Sequence, residues 1–216
     1  MISYCITCKD RLHHLKATLR KTLLCLQDND DVVLLDYNST DGLSSWIKCL
    51  NSPKIKFIQL DEGNVPFHTA RAKNIAHLHA RNKIVCNLDA DNWITPQFVS
   101  YIKSNIEPQH ILHASPITFG GGAGRMVLYK DVFIKLCGYN EAFLTWGYDV
   151  TEFLHRAREL KYTLKKIPQD LLTFIEHGDD ERHLTGCKNI RDSVNQNKQI
   201  FKAGIRPIIW GTAKIR

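Results

Sequence analysis

The amino-acid sequence predicts a single α/β domain with a mostly parallel, Rossmann-like central sheet and helices on both faces. Short apolar runs alternate with windows of helical hydrophobic spacing, and the early runs end in polar loops. This alternation is typical of parallel strands, because the chain crosses the sheet through a helix before it pairs in parallel again. The 216 residues, 44% of them hydrophobic, suffice for one core, so we expect residues 1–216 to form one domain.

The first half of the chain, residues 1–95, shows this alternation most clearly. Strands are predicted where apolar residues run together, at residues 2–6, 32–35, 56–60 and 85–89. Helices are predicted where apolar residues recur three or four apart, at residues 12–24, 43–50 and 69–81. Leucines at 12, 15, 19, 23 and 24 mark the first helix, and Ala70, Ile75, Ala76 and Leu78 are expected on the inner side of the third.

The pattern becomes less regular after Pro96. Helices are predicted at residues 97–105, 132–136 and 152–160, and short strands at 126–129, 164–167 and 171–175, with a further apolar stretch at 111–114. No internal repeat, low-complexity tract or linker separates the two halves. The second half is therefore expected to extend the same sheet.

Composition excludes several classes of protein. No window approaches the roughly 18 uninterrupted apolar residues of a membrane span, and the first residues lack the basic-then-apolar pattern of a signal peptide. Seven cysteines are an odd number, scattered through the chain, which favours reduced thiols. A cytoplasmic location is the expectation from these features.

The charge of the chain is concentrated near its end. The formal net charge is +7, and residues 188–216 carry seven basic residues against one acid, Asp192, a net +6. Such a basic tail favours anionic partners, namely a membrane surface, a pyrophosphate or nucleic acid. A solvated basic face is the alternative interpretation.

The stretch from Val85 to Trp93 is an apolar run that ends in two carboxylates, Asp89 and Asp91. Residues two apart on an extended chain point the same way, so the pair can share one target at the strand end. Mg²⁺ or Mn²⁺ carrying phosphates suits such a pair, because these cations accept hard oxygen ligands and bind few protein carboxylates. An acidic turn that merely ends a strand is the alternative.

Parallel strands bind ligands at their carboxyl ends. By that rule the loops at residues 7–11, 36–41 and 89–91 are expected along one edge of the sheet. This edge is the predicted site.

Five separated segments, spread over residues 2–201, resemble those of a nucleotide-sugar glycosyltransferase of the GT-A type. The sequence is similar to family 2 and, in its C-terminal block, to the β-1,4-galactosyltransferases. Each segment is weak evidence alone, but all five follow the order of the family. They are ITCKDR at 6–11, LDYNSTDG at 35–42, FHTARAKN at 67–74, the Asp89-Ala90-Asp91 triplet, and the glycine-rich block from Gly120 to Gly147.

The resemblance implies where the donor would bind. Asp36 would accept an N–H of the uracil or guanine base, and the residues 7–11 loop would lie near the base and ribose. Arg71 and Lys73, at the start of a helix, would attract phosphate. The full set of implied donor residues is Thr7, Cys8, Lys9, Arg11, Asp36, Ser39, Arg71, Lys73, Asn74, Asp89 and Trp146.

The resemblance also implies a metal site. Asp91 would be a direct ligand, and Asp89 would contact the ribose or the metal. A third ligand of the family is a distant histidine, and His177 in the segment 175–180 fits its position. An imidazole ligand would favour Mn²⁺ over Mg²⁺.

The segment that would carry the catalytic base, WGYDVTEF at 146–153, departs from the family pattern WGxEDxEF. Asp149 takes the place of the family's Glu, and Val150 stands where the usual base Asp would be. An inverting transfer needs a carboxylate to accept the acceptor's proton. Asp149 is the predicted base and Glu152 the second candidate, while a retaining mechanism without an external base stays open.

The resulting prediction is a metal-dependent glycosyltransferase. It would use a UDP-sugar, or alternatively a GDP-sugar, and a glycan, lipid-linked or protein acceptor. Residues 1–95 would be the nucleotide-binding half, 96–187 the acceptor and catalytic half, and 188–216 a basic tail able to touch a membrane. The alternatives are a nucleotidyltransferase that forms sugar nucleotides and a basic module for nucleic acid; sparse aromatic residues in the tail argue against the latter.

Overall fold

The computed structural model describes residues 1–63, 65–115, 122–178 and 189–215. The strands in these ranges are short and mostly buried. They are β1 (Ile2–Cys8), β2 (Asp31–Asp36), β3 (Ile55–Gln59), β4 (Ile84–Asp89), β5 (Asn92–Trp93), β6 (His110–His113), β7 (Met126–Tyr129), β8 (Thr163–Lys166) and β9 (Thr173–Phe174).

The helices lie between these strands and after the last one. They are α1 (Leu12–Cys25), α2 (Leu43–Leu50), α3 (Thr69–Leu78), α4 (Pro96–Asn105), α5 (Lys130–Lys135), α6 (Asp149–Glu159) and α7 (Ile190–Lys202), with a 3₁₀ turn at Gln169–Leu171. Thr95 caps α4, since its hydroxyl accepts a hydrogen bond from the backbone N–H of Phe98 at 3.2 Å. Asn189 caps α7 in the same way through the N–H of Asp192 at 3.1 Å.

Seven of the strands form one sheet in the order β3-β2-β1-β4-β7-β6-β8. The pairs β3-β2, β2-β1, β1-β4 and β6-β8 are parallel, whereas β7 runs antiparallel to both of its neighbours. Strands β5 and β9 form a separate antiparallel pair. The predicted α/β fold with a mostly parallel sheet, extended by the second half of the chain, is confirmed.

Each face of the sheet is covered by its own apolar core. Leu34 and Leu88 face one core, which includes Leu15 of α1 and Phe98 of α4. Val33 and Val85 face the other, which includes Ile75 of α3 and Phe153 of α6. Adjacent strand residues enter opposite cores, as the two-residue period of a strand requires, so the prediction of helices on both faces is also confirmed.

Three details differ from the sequence prediction. The third helix ends at Leu78, and the predicted strand at 171–175 is reduced to Thr173–Phe174, because only these two residues pair with β5. Leu24 is 80% exposed, since it lies well round α1 from the stripe of Leu15 and Leu19. Within the described residues, no helix is both long and apolar enough to cross a membrane.

The basic tail is part of the fold. Helix α7 packs through the buried Ser193 and Asn197, and the following segment returns to the sheet edge. There the N–H of Asp61 donates to the carbonyl of Lys214 at 2.7 Å, and Leu60 pairs with Ile215. Lys188 and Arg216 lie outside the described residues.

Candidate active site

Three neighbouring strands bring predicted site residues to one edge of the sheet. Thr7 of β1 pairs with Asp89 of β4, and Cys8 pairs with Asp36 of β2. Because these strands are parallel, their carboxyl ends share that edge. A cavity of about 300 Å³ opens there. The predicted residues that line it are Thr7, Lys9, Arg11, Lys73, Asp89, Asp91, Trp146, Asp149 and His177.

The small β5-β9 pair explains how His177 reaches Asp91. Asn92 pairs with Phe174, and the N–H of Ile175 donates to the carbonyl of Asp91 at 2.9 Å. The chain after β9 is thus held against the end of β4. As a result, His177 Nε2 lies 3.1 Å from Asp91 Oδ2, although the two residues are 86 positions apart.

The charges around Asp91 favour its ionised form. Burial alone would raise the pKa of Asp91, but the hydrogen bond from His177 and the charge of Arg11 outweigh burial and lower it. The same hydrogen bond raises the pKa of His177. Arg11 Nη2 also lies 3.1 Å from His177 Nε2. Nε2 donates to Asp91 when protonated and accepts from Arg11 when not, so the protonation of one nitrogen decides which contact forms.

Asp91 and His177 offer two of the ligands that a divalent cation needs. His177 Nδ1 lies 2.9 Å from the carbonyl of Gly178, which suits a protonated Nδ1 and leaves the Nε2 lone pair towards Asp91. An imidazole nitrogen and a carboxylate oxygen suit Mn²⁺, which takes its other ligands from phosphate and water. In the described part of the chain, no three His, Cys, Asp or Glu side chains converge as a ready metal site, although Asp89 lines the same cavity and the charge of Asp91 acts on it.

Asp89 also interacts electrostatically with Lys73 and Asp149. Burial raises the pKa of Asp89, and the charge of Lys73 opposes this effect. Lys73 Nζ lies 2.7 Å from Asp149 Oδ2, and both side chains are nearly buried. A side chain at position 124 would place its Cβ 2.6 Å from Asp89 Oδ2, so it would displace the Asp89 carboxylate.

Asp36 has an unused acceptor atom. Asp36 is fully buried, and its Oδ1 accepts the N–H of Ser39 at 2.7 Å. Its Oδ2 is buried and has no hydrogen-bond partner among the described residues. Burial is also the main reason that the pKa of Asp36 is raised. A buried acceptor without a donor is costly unless a ligand supplies one.

The loop that carries Trp146 into the cavity is held by α7. The Asn197 side chain accepts the N–H of Leu144 at 2.6 Å and donates to the carbonyls of Leu144, Trp146 and Gly147 at 2.8–3.2 Å. Ser193 Oγ donates to the carbonyl of Trp146 at 2.7 Å. The tail that the sequence presented as a basic segment therefore supports a wall of the site.

Six predicted donor or catalytic residues do not line this cavity: Cys8, Asp36, Ser39, Arg71, Asn74 and Glu152. Arg71 contacts both oxygens of Glu62, at 2.6 and 2.7 Å. Asn74 holds the backbone of Tyr139, and Glu152 pairs with Arg156 at 2.6 Å. Cys8 is in the apolar core, where burial raises its pKa above the usual range. Asp36 and Ser39 lie beside the cavity and bind one another.

Other lining residues were not singled out by the sequence. Phe67, Tyr148 and Thr151 line the cavity, and all three belong to segments already noted for their resemblance. A survey of every side chain in those segments would have found them. No sequence pattern, in contrast, pointed to Asn197 as a support for the loop that carries Trp146. Gly120, Gly121, Asp179 and Asp180, in segments noted from the sequence, lie outside the described residues.

Comparison with solved structures gives the same fold. The mannosyltransferase PcManGT from Pyrobaculum calidifontis, in complex with GDP-Man and Mn²⁺, has a TM-score of 0.65 at 17% identity, covering 79% of this chain and 55% of its own. S. aureus TarS 1–349 in complex with UDP-GlcNAc has a TM-score of 0.70 at 14% identity, covering 94% and 65%. The catalytic domain of Drosophila β1,4-galactosyltransferase 7 with xylobiose has a TM-score of 0.65 at 14% identity, covering 97% and 82%.

The chain thus spans between half and two thirds of the mannosyltransferase and TarS structures. No curated protein sequence matches it. The family model described as Glycosyl transferase family 2 matches residues 3–161, which is more than half of the chain. The single GT-A domain expected from the resemblance is confirmed. The chain belongs to glycosyl transferase family 2.

Proposed function

We propose that this protein is a metal-dependent glycosyltransferase that moves a sugar from a nucleoside-diphosphate donor to an acceptor hydroxyl. A UDP-sugar is the favoured donor and a GDP-sugar the alternative, and structural neighbours were solved with donors of both kinds. The observation that carries the proposal is the pairing of Asp91 with His177 at 3.1 Å at the carboxyl ends of the parallel strands. A capping role for an acidic turn would not need a histidine from the far end of the domain.

The donor's nucleoside would lie along the β1 and β2 ends. The buried Oδ2 of Asp36 requires a donor, and the N–H of a uracil or guanine ring supplies one. Ser39 fixes the other carboxylate oxygen through its backbone N–H. A nucleobase with only an acceptor at this position would be repelled by the carboxylate. This repulsion would let the site discriminate between nucleotides.

The diphosphate would lie between Asp91 and Lys73. Asp91 and His177 would hold Mn²⁺ or Mg²⁺, which when bound neutralises the departing diphosphate. Arg11, also on the cavity wall, adds a positive charge on the same side. Arg11 Nη2 and a bound metal would compete for the same nitrogen of His177.

The base of an inverting transfer would be Asp149. It lines the cavity, begins α6, and has the ammonium of Lys73 as a counter-charge at 2.7 Å. Glu152 is less suited, because its carboxylate is 2% exposed and is bound by Arg156. In a retaining transfer, Asp149 would not act as a base. Its roles would then be the ion pair with Lys73 and a position in the first turn of α6.

The acceptor is a glycan, a lipid-linked sugar or a protein, and the resemblance of the Gly120–Gly147 block to β-1,4-galactosyltransferases favours a glycan. Trp146 and Tyr148 on the cavity wall would offer apolar surfaces to a sugar ring. The alternative, a nucleotidyltransferase, would need a glycine-rich first loop, and the residues 7–11 loop contains no glycine.

The test is incubation of the protein with UDP- and GDP-sugars, Mn²⁺ and a panel of sugar acceptors. Release of nucleoside diphosphate together with a glycosylated product would support the proposal. Release of inorganic pyrophosphate would support the nucleotidyltransferase. The matched control is Asp28→Asn, an exposed acid outside the site, against Asp91→Asn. Equal activity of these two variants would overturn the assignment of Asp91.

A further inference from the structure

An exposed apolar turn lies near the end of the chain, at residues 205–209, which we call the isoleucine tip. Ile208 is 98% exposed, Ile209 74% and Ile205 53%. A single exposed isoleucine is ordinary on a protein surface. Three within five residues form a local apolar patch, and such patches usually have a partner.

The tip is anchored at both of its ends, so its exposure follows from the fold. On one side, Asn140 Nδ2 donates to the carbonyl of Ile205 at 2.9 Å. On the other side, the ring of Trp210 packs edge-on against Phe133 at 5.9 Å, and the N–H of Gly211 donates to Glu141 Oε1 at 2.6 Å. These anchors point Ile208 and Ile209 away from the domain.

The chain on either side of the tip is rich in basic residues. The sequence contains no acidic residue from position 193 onwards. Lys198 and Lys202 are exposed on the last turns of α7, and Lys214, after the tip, is 77% exposed and lies 3.9 Å from Asp61 Oδ2. Arg206, within the tip, extends back to the carbonyl of Leu136 at 3.4 Å and to Glu152 at 3.5 Å. Exposed lysines therefore precede and follow the apolar tip along the chain.

We propose that the isoleucine tip inserts into the surface of an anionic lipid bilayer. Apolar side chains partition into the boundary between headgroups and acyl chains, and neighbouring lysines bind anionic headgroups. Three isoleucines are too few for a protein interface, which needs on the order of 1,000 Å². A shallow, reversible membrane contact needs far less area. This inference does not depend on the proposed enzymatic function.

The experiment is co-sedimentation of the whole protein with vesicles of phosphatidylcholine, with and without phosphatidylglycerol. The test variant is Ile208→Ser/Ile209→Ser, and the control is Leu24→Ser, which alters an exposed leucine on α1 at 80% exposure. Binding is expected with phosphatidylglycerol only. The double variant should partition at least about tenfold less and the control should be unchanged. A Lys202→Glu variant should reduce binding and make it less sensitive to salt.

Circular dichroism shows whether each variant is folded, since the altered side chains make no described contact in the core. Equal sedimentation of wild type and double variant, or equal binding to vesicles lacking phosphatidylglycerol, would overturn the proposal. Light scattering tests the alternative that the isoleucine tip binds a second copy of the chain. A dimer that the double variant converts to a monomer would show that the tip binds a second copy of the chain, and would also overturn the proposal.

Discussion

Lys73 Nζ lies 2.7 Å from Asp149 Oδ2, and their side chains are only 5% and 11% exposed. Burial would lower the pKa of Lys73, but the charges of Asp149 and Asp89 raise it. Lys73 therefore stays charged between the two carboxylates. The ammonium group joins α3 to the start of α6 through this ion pair, and its charge also acts on Asp89 at the end of β4.

Replacement of Lys73 by methionine should destabilise the domain. The change leaves the buried Asp149 without its counter-charge, and loss of one partner of a buried pair costs about 3–5 kcal/mol. The measurement is the free energy of unfolding in urea at pH 7. The double variant Lys73→Met/Asp149→Asn should lose less than the sum of the two single variants. Additive losses would show that the two groups do not interact.

Asp149→Asn should lower turnover by about 10² or more while nucleoside-diphosphate affinity is kept, because an amide cannot accept the acceptor's proton. The measurement is kcat with saturating donor, next to calorimetric binding of the nucleoside diphosphate. Glu152→Gln is the comparison. If Glu152→Gln abolishes turnover in a folded protein and Asp149→Asn does not, Asp149 is not the base.

The pair Asp91 and His177 should determine the response to Mn²⁺. Asp91→Asn should abolish Mn²⁺-assisted binding of a nucleoside diphosphate, because the amide removes the charged ligand. His177→Ala should raise the Mn²⁺ concentration for half-maximal binding by about 10-fold or more. Calorimetry with UDP or GDP at several Mn²⁺ concentrations measures both effects. An unchanged metal titration in His177→Ala would exclude this histidine as a ligand.

Asn197→Ala should loosen the loop that carries Trp146. The variant leaves the N–H of Leu144 and several carbonyls without their partner, at a cost of about 1–3 kcal/mol. We expect a lower free energy of unfolding and a reduced kcat/KM. The control is Gln199→Ala on the exposed side of α7. If both variants unfold alike, the contacts of Asn197 contribute little.

His77 should make the fold sensitive to acid. It is fully buried and stacked on Phe133, and burial lowers its pKa from 6.5 to about 4. Between those pH values the unfolded chain gains a proton at His77 that the folded chain does not. The free energy of unfolding should therefore fall by about 3 kcal/mol as the pH drops through this window.

Urea unfolding of the wild type at pH 7.5 and pH 4.5 measures this fall. His77→Phe should reduce the pH dependence, because phenylalanine does not titrate and preserves a ring against Phe133. His155→Gln, which replaces an exposed histidine outside the core, is the control for the loss of a histidine. A variant without His77 that retains the full pH dependence would contradict the assignment.

The sequence predicted the sheet, its faces and the edge at which Asp36, Asp89 and Asp91 gather. These are local properties, because strand periodicity and loop position depend on residues close together in the chain. Resemblance to a known family added His177 and Asp149 to the same site, and both line the cavity. It did not reveal that Arg71 binds Glu62 or that Asn74 holds Tyr139, because neither partner lies next to it in the chain.

The sequence by itself determined that this chain forms a mostly parallel α/β sheet with acids at one strand end. Only the tertiary structure decided that Asp149 pairs with Lys73, since the two residues are 76 positions apart and meet where α3 and α6 pack. The tertiary structure also made α7 a support for Trp146. The physical reason is that hydrophobic periodicity records how each segment faces the core, whereas polar pairing depends on distances that exist only after the segments have packed.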